Sequence, residues 1–407
     1  KGSHFMPNTP SHPAIFNLGF RAFFAGASVF ACISIASWLV IYASMNNVFN
    51  SHAIFSFFGF TTLSPYQWHA HEMIYGYSMA VIAGFLLTAV KNWTGLQTLH
   101  GYPLCGLFSL WVSARIAWLA GESWLWLAAL LDITFICWLI YAVALPIIAT
   151  KQWRQMAILS KLFLLGFGNL AFYIELFFSI GNGIHIGLYG GLYLVIGLIL
   201  TIGRRIIPLF VQNGVNYDVT LFNSKWLDIG SLIGLLGFFV TEVFLNTPNV
   251  SITFAALMFV ITSIRIVGWY TPGIWSNPLL WCFYVALSFI DIGFLLFILT
   301  HWLDISPFLS VHAFGFGAIG VITMGMMARV STGHTGRSLK NLPRSLLLAL
   351  LILTIGAFTR VFLPLAASEY YPTWVLLSGI LWLGAFSLFL ITFLVYWFKP
   401  RVDNKYG

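Results

Sequence analysis

Twelve stretches of this chain are each apolar for long enough to cross a bilayer as a helix, which takes about 20 residues. They fall at 22–45, 68–90, 102–120, 123–148, 157–180, 185–203, 226–245, 251–271, 278–301, 307–328, 345–366 and 373–398. In lipid every backbone polar group must find its partner inside the segment, so repeated apolar runs of this length fold as helices. The predicted class is all-α: a polytopic membrane protein with twelve transmembrane helices. Turn chemistry separates the runs, at Gly101-Tyr102-Pro103, Gly121-Glu122, Gly181-Asn182-Gly183, Thr247-Pro248-Asn249, Pro272-Gly273 and Pro343. Only 7% of the 407 residues are charged, against about 25% in a soluble domain. So few charges cannot cover a globular domain, which excludes an ordinary soluble enzyme, a disordered chain and a nucleic-acid-binding domain. Cys32, Cys105, Cys137 and Cys282 lie in apolar runs without CxxC spacing. They exclude a disulfide scaffold or zinc knuckle and read as core.

Lys and Arg set the orientation. The connections after spans 2, 4, 6 and 10 carry Lys91; Lys151, Arg154 and Lys161; Arg204, Arg205 and Lys225; and Arg329, Arg337, Lys340 and Arg344. Arg21 precedes span 1, Arg265 lies near the inner end of span 8, and the tail carries Lys399, Arg401 and Lys405. The connections after spans 1, 3, 5, 7, 9 and 11 carry no Lys or Arg. By the positive-inside rule both termini face the cytoplasm, and the net charge of +8 is a topology signal. Trp68, Trp93, Trp124, Trp226, Trp269, Trp302, Trp374 and Trp397 lie near span ends, where aromatic belts form. Residues 1–407 read as a single transmembrane domain, with Lys1–Met6 resembling a tag scar and no cleavable signal peptide after it. Ala53–Phe60, in the long outer connection, reads as an apolar patch in the membrane interface.

Ionisable residues inside a membrane are costly and mark function. Span 2 opens at the outer face with Trp68-His69-Ala70-His71-Glu72, and span 10 carries His312 near its own outer start. Two residues apart on a helix means about 200° apart in direction, so His69 and His71 cannot chelate one ion. They serve either two sites on opposite sides of span 2 or one site plus a hydrogen-bond network. His312 lies roughly 7–8 Å deep at 1.5 Å per residue, close to the level of His69 and His71. Comparable depth is what two axial imidazoles on facing helices need to hold a porphyrin, and imidazole suits iron and copper alike. His185 and His301 read as interfacial or hydrogen-bonded residues. Arg115 and Arg360, near outer span ends, either snorkel or neutralise heme propionates. Glu72 is one turn from His69 and reads as its second-layer acceptor, as a proton donor, or as a plain helix-start carboxylate. Glu175 and Asp132 are further candidates for carrying protons, and Glu242 also lies near an outer end. Glycines cluster in span 10 (Gly315, Gly317, Gly320, Gly325) and span 6 (Gly187, Gly190, Gly191, Gly197), where they allow close helix approach or admit a flat cofactor. Met324, Met326 and Met327 lie about 18 Å or more below His312 and read as core.

Trp68–Met73, continuing through Ala83–Val90 to Asn92-Trp93-Thr94-Gly95, resembles the NnrS family. So do His312-Ala313-Phe314 through Gly320, Met327-Ala328-Arg329-Val330-Ser331 and Gly333-His334-Thr335-Gly336-Arg337, with Leu18–Arg21 and Arg205–Pro208 as further landmarks. The resemblance implies a bacterial inner-membrane protein containing heme b and copper, which takes part in the nitric-oxide response and protects against nitrosative stress. It implies a layout like that of the main subunit of heme-copper oxidases. Carried over by position, His69, His71 and His312 become the metal ligands. The activity implied is a heme-based oxidoreductase acting on nitric oxide, with quinol as electron donor and protons carried by Glu72 and Glu175. The lipid bilayer is the expected partner, and nucleic acid is not. The alternative is a twelve-helix secondary transporter without redox metal; a scaffold or sensor with structural histidines is a third reading. The loop Arg329–Arg337 is cationic and glycine-rich, suiting either an anion or a plain cytoplasmic turn.

Overall fold

The computed structural model describes residues 12–46 and 63–407. The Lys1–Met6 tag reading and the Ala53–Phe60 interfacial patch lie outside the described residues. Twelve helices are long and apolar enough to span a membrane: α1 Gly19–Met45, α2 Pro65–Thr94, α3 Gly101–Leu119, α4 Glu122–Ala149, α5 Trp153–Phe178, α6 Gly183–Gly214, α7 Lys225–Leu245, α8 Pro248–Gly268, α9 Pro278–Leu299, α10 Phe308–His334, α11 Arg344–Ala366 and α12 Ser368–Phe398. Among the described residues no strand occurs. The chain is therefore an all-α polytopic membrane protein, as its apolar runs require.

Local chemistry fixes the starts. At α2 the Ser64 hydroxyl accepts from Gln67 N (3.2 Å), the Gln67 side chain accepts from Ser64 N (2.9 Å), and Pro65 takes the first helical position. That reciprocal cap satisfies two backbone donors and sets where the histidine-bearing turn begins. Two helices run further than the apolar pattern suggests. α6 continues past Arg204 and Arg205 to Gly214 because both charges find partners at the bundle end: Arg204 with Asp228 (2.8 Å) and Arg205 with Gln155 (3.1 Å). α10 continues to His334, with the Arg329 guanidinium lying 3.6 Å above the Phe210 ring. Much of the stretch read as the Arg329–Arg337 loop is therefore helix.

α2 and α10 are the most buried spans, followed by α1 and α6. α2, α6 and α10 contact one another, so every fourth span comes to the interior. Around them α12 packs on α1 and α11, and α3–α4–α5 and α7–α8–α9 form antiparallel runs. Lipid tails are as apolar as the side chains, so contact rather than hydrophobic transfer holds such helices together. At the α9–α10 seam the contact is reciprocal: a Cβ on Gly317 would strike Phe289, and one on Gly293 would strike Phe314.

Burial corrects two readings. Trp68, Trp269 and Trp397 are buried, with Trp397 Nε1 donating to Ser331 Oγ (2.8 Å) and Trp269 Nε1 to the Phe222 carbonyl (3.1 Å). Trp124, Trp226 and Trp302 are exposed, as an interfacial belt requires. Of the cysteines only Cys282 is buried, and Cys137 is exposed. A span bathed in lipid is apolar on its outer face too, so an apolar neighbourhood in sequence does not separate core from lipid-facing surface.

The basic residues collect at one end. Arg21, buried at the start of α1, donates to the carbonyls of Tyr396 (2.9 Å), Trp397 (3.0 Å) and Lys399 (2.8 Å), capping the C-terminus of α12. Arg401 reaches the His334 carbonyl at the end of α10 (2.7 Å), and Lys91 at the end of α2 lies over the Tyr406 ring. Nearby chain ends are tied by Arg265 and Arg204, which share Asp228 (2.8 Å each).

Candidate functional site

At the opposite end, the starts of α2, α6 and α10 surround a cavity of about 850 Å³. Each of these helices changes to a wider π turn beside it: Glu72–Ser78, Ile186–Gly190 and Ala313–Gly320. A histidine stands directly before each π segment: His71, His185 and His312. π segments are uncommon and cluster where a helix must redirect its side chains around a site. Glycines ease the change, with Gly76, Gly187, Gly190, Gly315, Gly317 and Gly320 inside these segments. At Gly315 an added Cβ would meet nothing within 4 Å, so α10 offers bare backbone to open space. The walls are mainly apolar and aromatic, including Trp38, Tyr77, Leu192, Phe316 and Trp382.

His69, His312 and Arg360 line this cavity together. The Phe308 carbonyl accepts from His312 Nδ1 (2.7 Å), which assigns the proton to Nδ1 and leaves the Nε2 lone pair outward. Nε2 faces Arg360 Nη2 at 3.4 Å. Arg360 Nη2 also donates to the Tyr371 hydroxyl (3.2 Å), while its buried Nη1 has no partner among the described residues. The His69 ring stacks on Trp38 at 4.5 Å and 13°, and its buried Nδ1 likewise has no partner among the described residues. Each such orphan costs about 1–3 kcal/mol if nothing fills it. The cavity therefore combines His69 Nδ1 and Arg360 Nη1, neither partnered among the described residues, a His312 Nε2 met by the Arg360 guanidinium, and apolar walls. Those are the features a flat apolar ligand with metal and carboxylates would satisfy.

His71 points the other way, as a two-residue spacing demands. Its Nδ1 meets Glu72 Oε1 (3.0 Å) and its Nε2 meets Asn169 Oδ1 (2.9 Å), between the rings of Trp118 and Phe172. Arg115 Nη1 donates to Glu72 Oε1 (2.6 Å) and Nη2 to Asp132, whose other oxygen accepts from Tyr173 (2.7 Å). Arg115 thus spends its charge on two carboxylates of α2 and α4, away from the cavity. Glu72 is expected to orient His69; in the structure it holds His71 and Arg115 instead, because a buried carboxylate takes the strongest donors in reach. His69 and His71 therefore belong to two sites on opposite sides of α2.

Glu175 and His185 line the cavity's far wall. Glu175 Oε2 accepts from Ile184 N (2.5 Å), and His185 Nε2 lies 3.3 Å from the Glu242 carbonyl. Reading His185 as an interfacial residue missed its place here. The available signal was the recurrence of a histidine ahead of a glycine-rich turn on every fourth span. His301 is exposed, and Met324 and Met327 are buried core. Among the described residues no three His, Cys, Asp or Glu side chains converge to hold a metal ion.

A protein-family description, NnrS protein, matches residues 14–401. No curated protein matches the chain.

Proposed function

The chain belongs to the NnrS family, and from that premise we propose that it binds a b-type heme in the cavity between His69 and His312 and handles nitric oxide there. The coarser statement needs no proposal: this is a multi-pass membrane protein of a nitric-oxide-response family. The finer reading is supported by one observation above others. Two imidazoles from different inner helices line the same apolar cavity as Arg360: among the described residues His69 Nδ1 and Arg360 Nη1 have no partner, and the Nε2 of His312 is met only by the Arg360 guanidinium at 3.4 Å. The positive-inside alternation supports cytoplasmic termini and a cavity near the periplasmic side of a bacterial inner membrane. The three inner helices at every fourth position support a layout like the main subunit of heme-copper oxidases.

A bound heme would supply redox chemistry toward nitric oxide, with quinol as the donor class. The residues that would hold it are already oriented. The Nδ1–H bond to the Phe308 carbonyl fixes the His312 ring, whose Nε2 would be the ligand atom. Stacking on Trp38 fixes the His69 ring. Arg360, whose Nη1 has no partner among the described residues, would neutralise a carboxylate of the group. Trp382 and Phe316 keep bulk water from the inner wall. Glu175 carries protons from the outer end, and the His71, Glu72, Arg115 and Asp132 network fixes α2 and hence the position of His69. Copper belongs to the family's implied cofactors, but among the described residues no three His, Cys, Asp or Glu side chains converge to hold it.

The test is a visible spectrum of protein purified in mild detergent after growth with iron and copper. A Soret band and a reduced α-band are expected. His312→Ala and His69→Ala lose or shift them; His301→Ala does not. A colourless, metal-free preparation refutes the reading and returns the chain to the transporter alternative.

A further inference from the structure

Directly below the main cavity lies a second one of about 80 Å³, between the same three helices. Its walls include Val81 and Phe85 of α2, Val195 and Ile199 of α6, and Ile322 and Met326 of α10, and it presents no polar surface. Two hydroxyl residues border it, and both hydroxyls are already engaged. Ser78 Oγ donates to the Met73 carbonyl (2.8 Å), and Thr323 Oγ1 lies 2.5 Å from the Ile319 carbonyl of its own helix and 2.7 Å from the Tyr77 hydroxyl of α2. Ser78 lines both cavities. Leu192 and Ile319 border the upper space, and Val195 and Ile322 the lower, only three residues or about 4.5 Å further along each helix. Phe85, Ile199 and Met326, which also line the lower space, are half-buried rather than fully enclosed.

We propose that this apolar cavity is the passage by which a small uncharged diatomic gas enters the main cavity from the bilayer. The inference rests on the heme reading above, which gives the gas a destination. The chemistry selects the guest. Water needs two to four polar partners, and this lining offers none, so the space stays dry and suits apolar guests such as xenon. A charged or hydrogen-bonding substrate would be stripped of its partners there. A nonpolar gas dissolves in lipid, and by this route it enters past the half-buried Phe85, Ile199 and Met326 rather than through the polar outer mouth near Gln67 and Asn182.

Two measurements on the full-length protein decide it. Crystals pressurised with xenon should show a xenon atom in the lower cavity, lost in Ile322→Trp. In flash photolysis of the carbon monoxide complex, Ile322→Trp and the milder Val195→Phe should rebind gas from solution about tenfold more slowly, equivalent to about 1.4 kcal/mol of added barrier. Their Soret bands should be unchanged, and Ile391→Trp, on an exposed face of α12 away from both cavities, should rebind at the wild-type rate. Heme-retaining variants with unaltered rebinding overturn the passage. So does exclusion of xenon by an acyl chain seen as elongated density. A colourless protein that still takes up xenon overturns the heme reading while keeping the gas cavity, so the two failures are distinguishable.

Discussion

Replacing Arg115 with Met removes the guanidinium that, among the described residues, joins Glu72 and Asp132 in the ion cluster that fixes α2. The guanidinium bonds Glu72 at 2.6 Å and also Asp132, and the three side chains are 4%, 1% and 1% exposed. Taking one partner from a buried ion pair costs about 3–5 kcal/mol, because the other charge is left without compensation. Here one guanidinium serves two carboxylates, so the loss belongs at the upper end, about 5 kcal/mol. That is a large part of the 5–15 kcal/mol typical of a whole domain. Neutralising the carboxylates as well, in Arg115→Met/Glu72→Gln/Asp132→Asn, removes the uncompensated charge and should recover more than half of the loss. Unfolding in mixed micelles by titration with a denaturing detergent, followed by tryptophan fluorescence, gives both numbers. The reasoning fails if Arg115→Met lies within about 1 kcal/mol of wild type, or if the triple variant is no more stable than the single one.

Arg360→Met should weaken heme retention about 10- to 100-fold, since a hydrogen bond to a charged group contributes about 1.5–3 kcal/mol; heme transfer to apomyoglobin measures it, and unchanged transfer removes Arg360 from the site. A Cβ at Gly183 would overlap the Ala171 carbonyl, so Gly183→Ala should cost about 1–3 kcal/mol by forcing α5 and α6 apart, read as a lowered Tm in the same detergent. Asp403, paired bidentately with Arg401 (2.8 and 2.6 Å), is held well below the usual carboxylate range of about 3.9 by that guanidinium. A lowered native value means its contribution is complete above the ordinary range and fades only as pH falls through the lowered one. A spin label at Val402 should therefore keep the same mobility from pH 8 to 5, and loosening within that window would contradict the assignment.

Much of this was legible in the chain itself. Apolar run length gave twelve spans, since the bilayer fixes how much helix is needed and lipid permits little else. The alternation of Lys91, Lys151, Arg204 and Arg329 with charge-free outer connections marked which ends share a side, and the contacts of Arg21, Lys91 and Arg401 bring those ends together. The 3.6-residue repeat alone required His69 and His71 to face apart. Tertiary structure decided the rest. Trp68 and Trp397 turned inward and Cys137 outward, because a lipid-facing surface and a protein core share one composition. Glu72 went to His71 and Arg115, and His185 joined the cavity, because hydrogen-bond partners and π turns depend on which helices meet. Spacing along one helix fixes the direction of a side chain; what stands opposite it is set only when three helices far apart in sequence close around the same space.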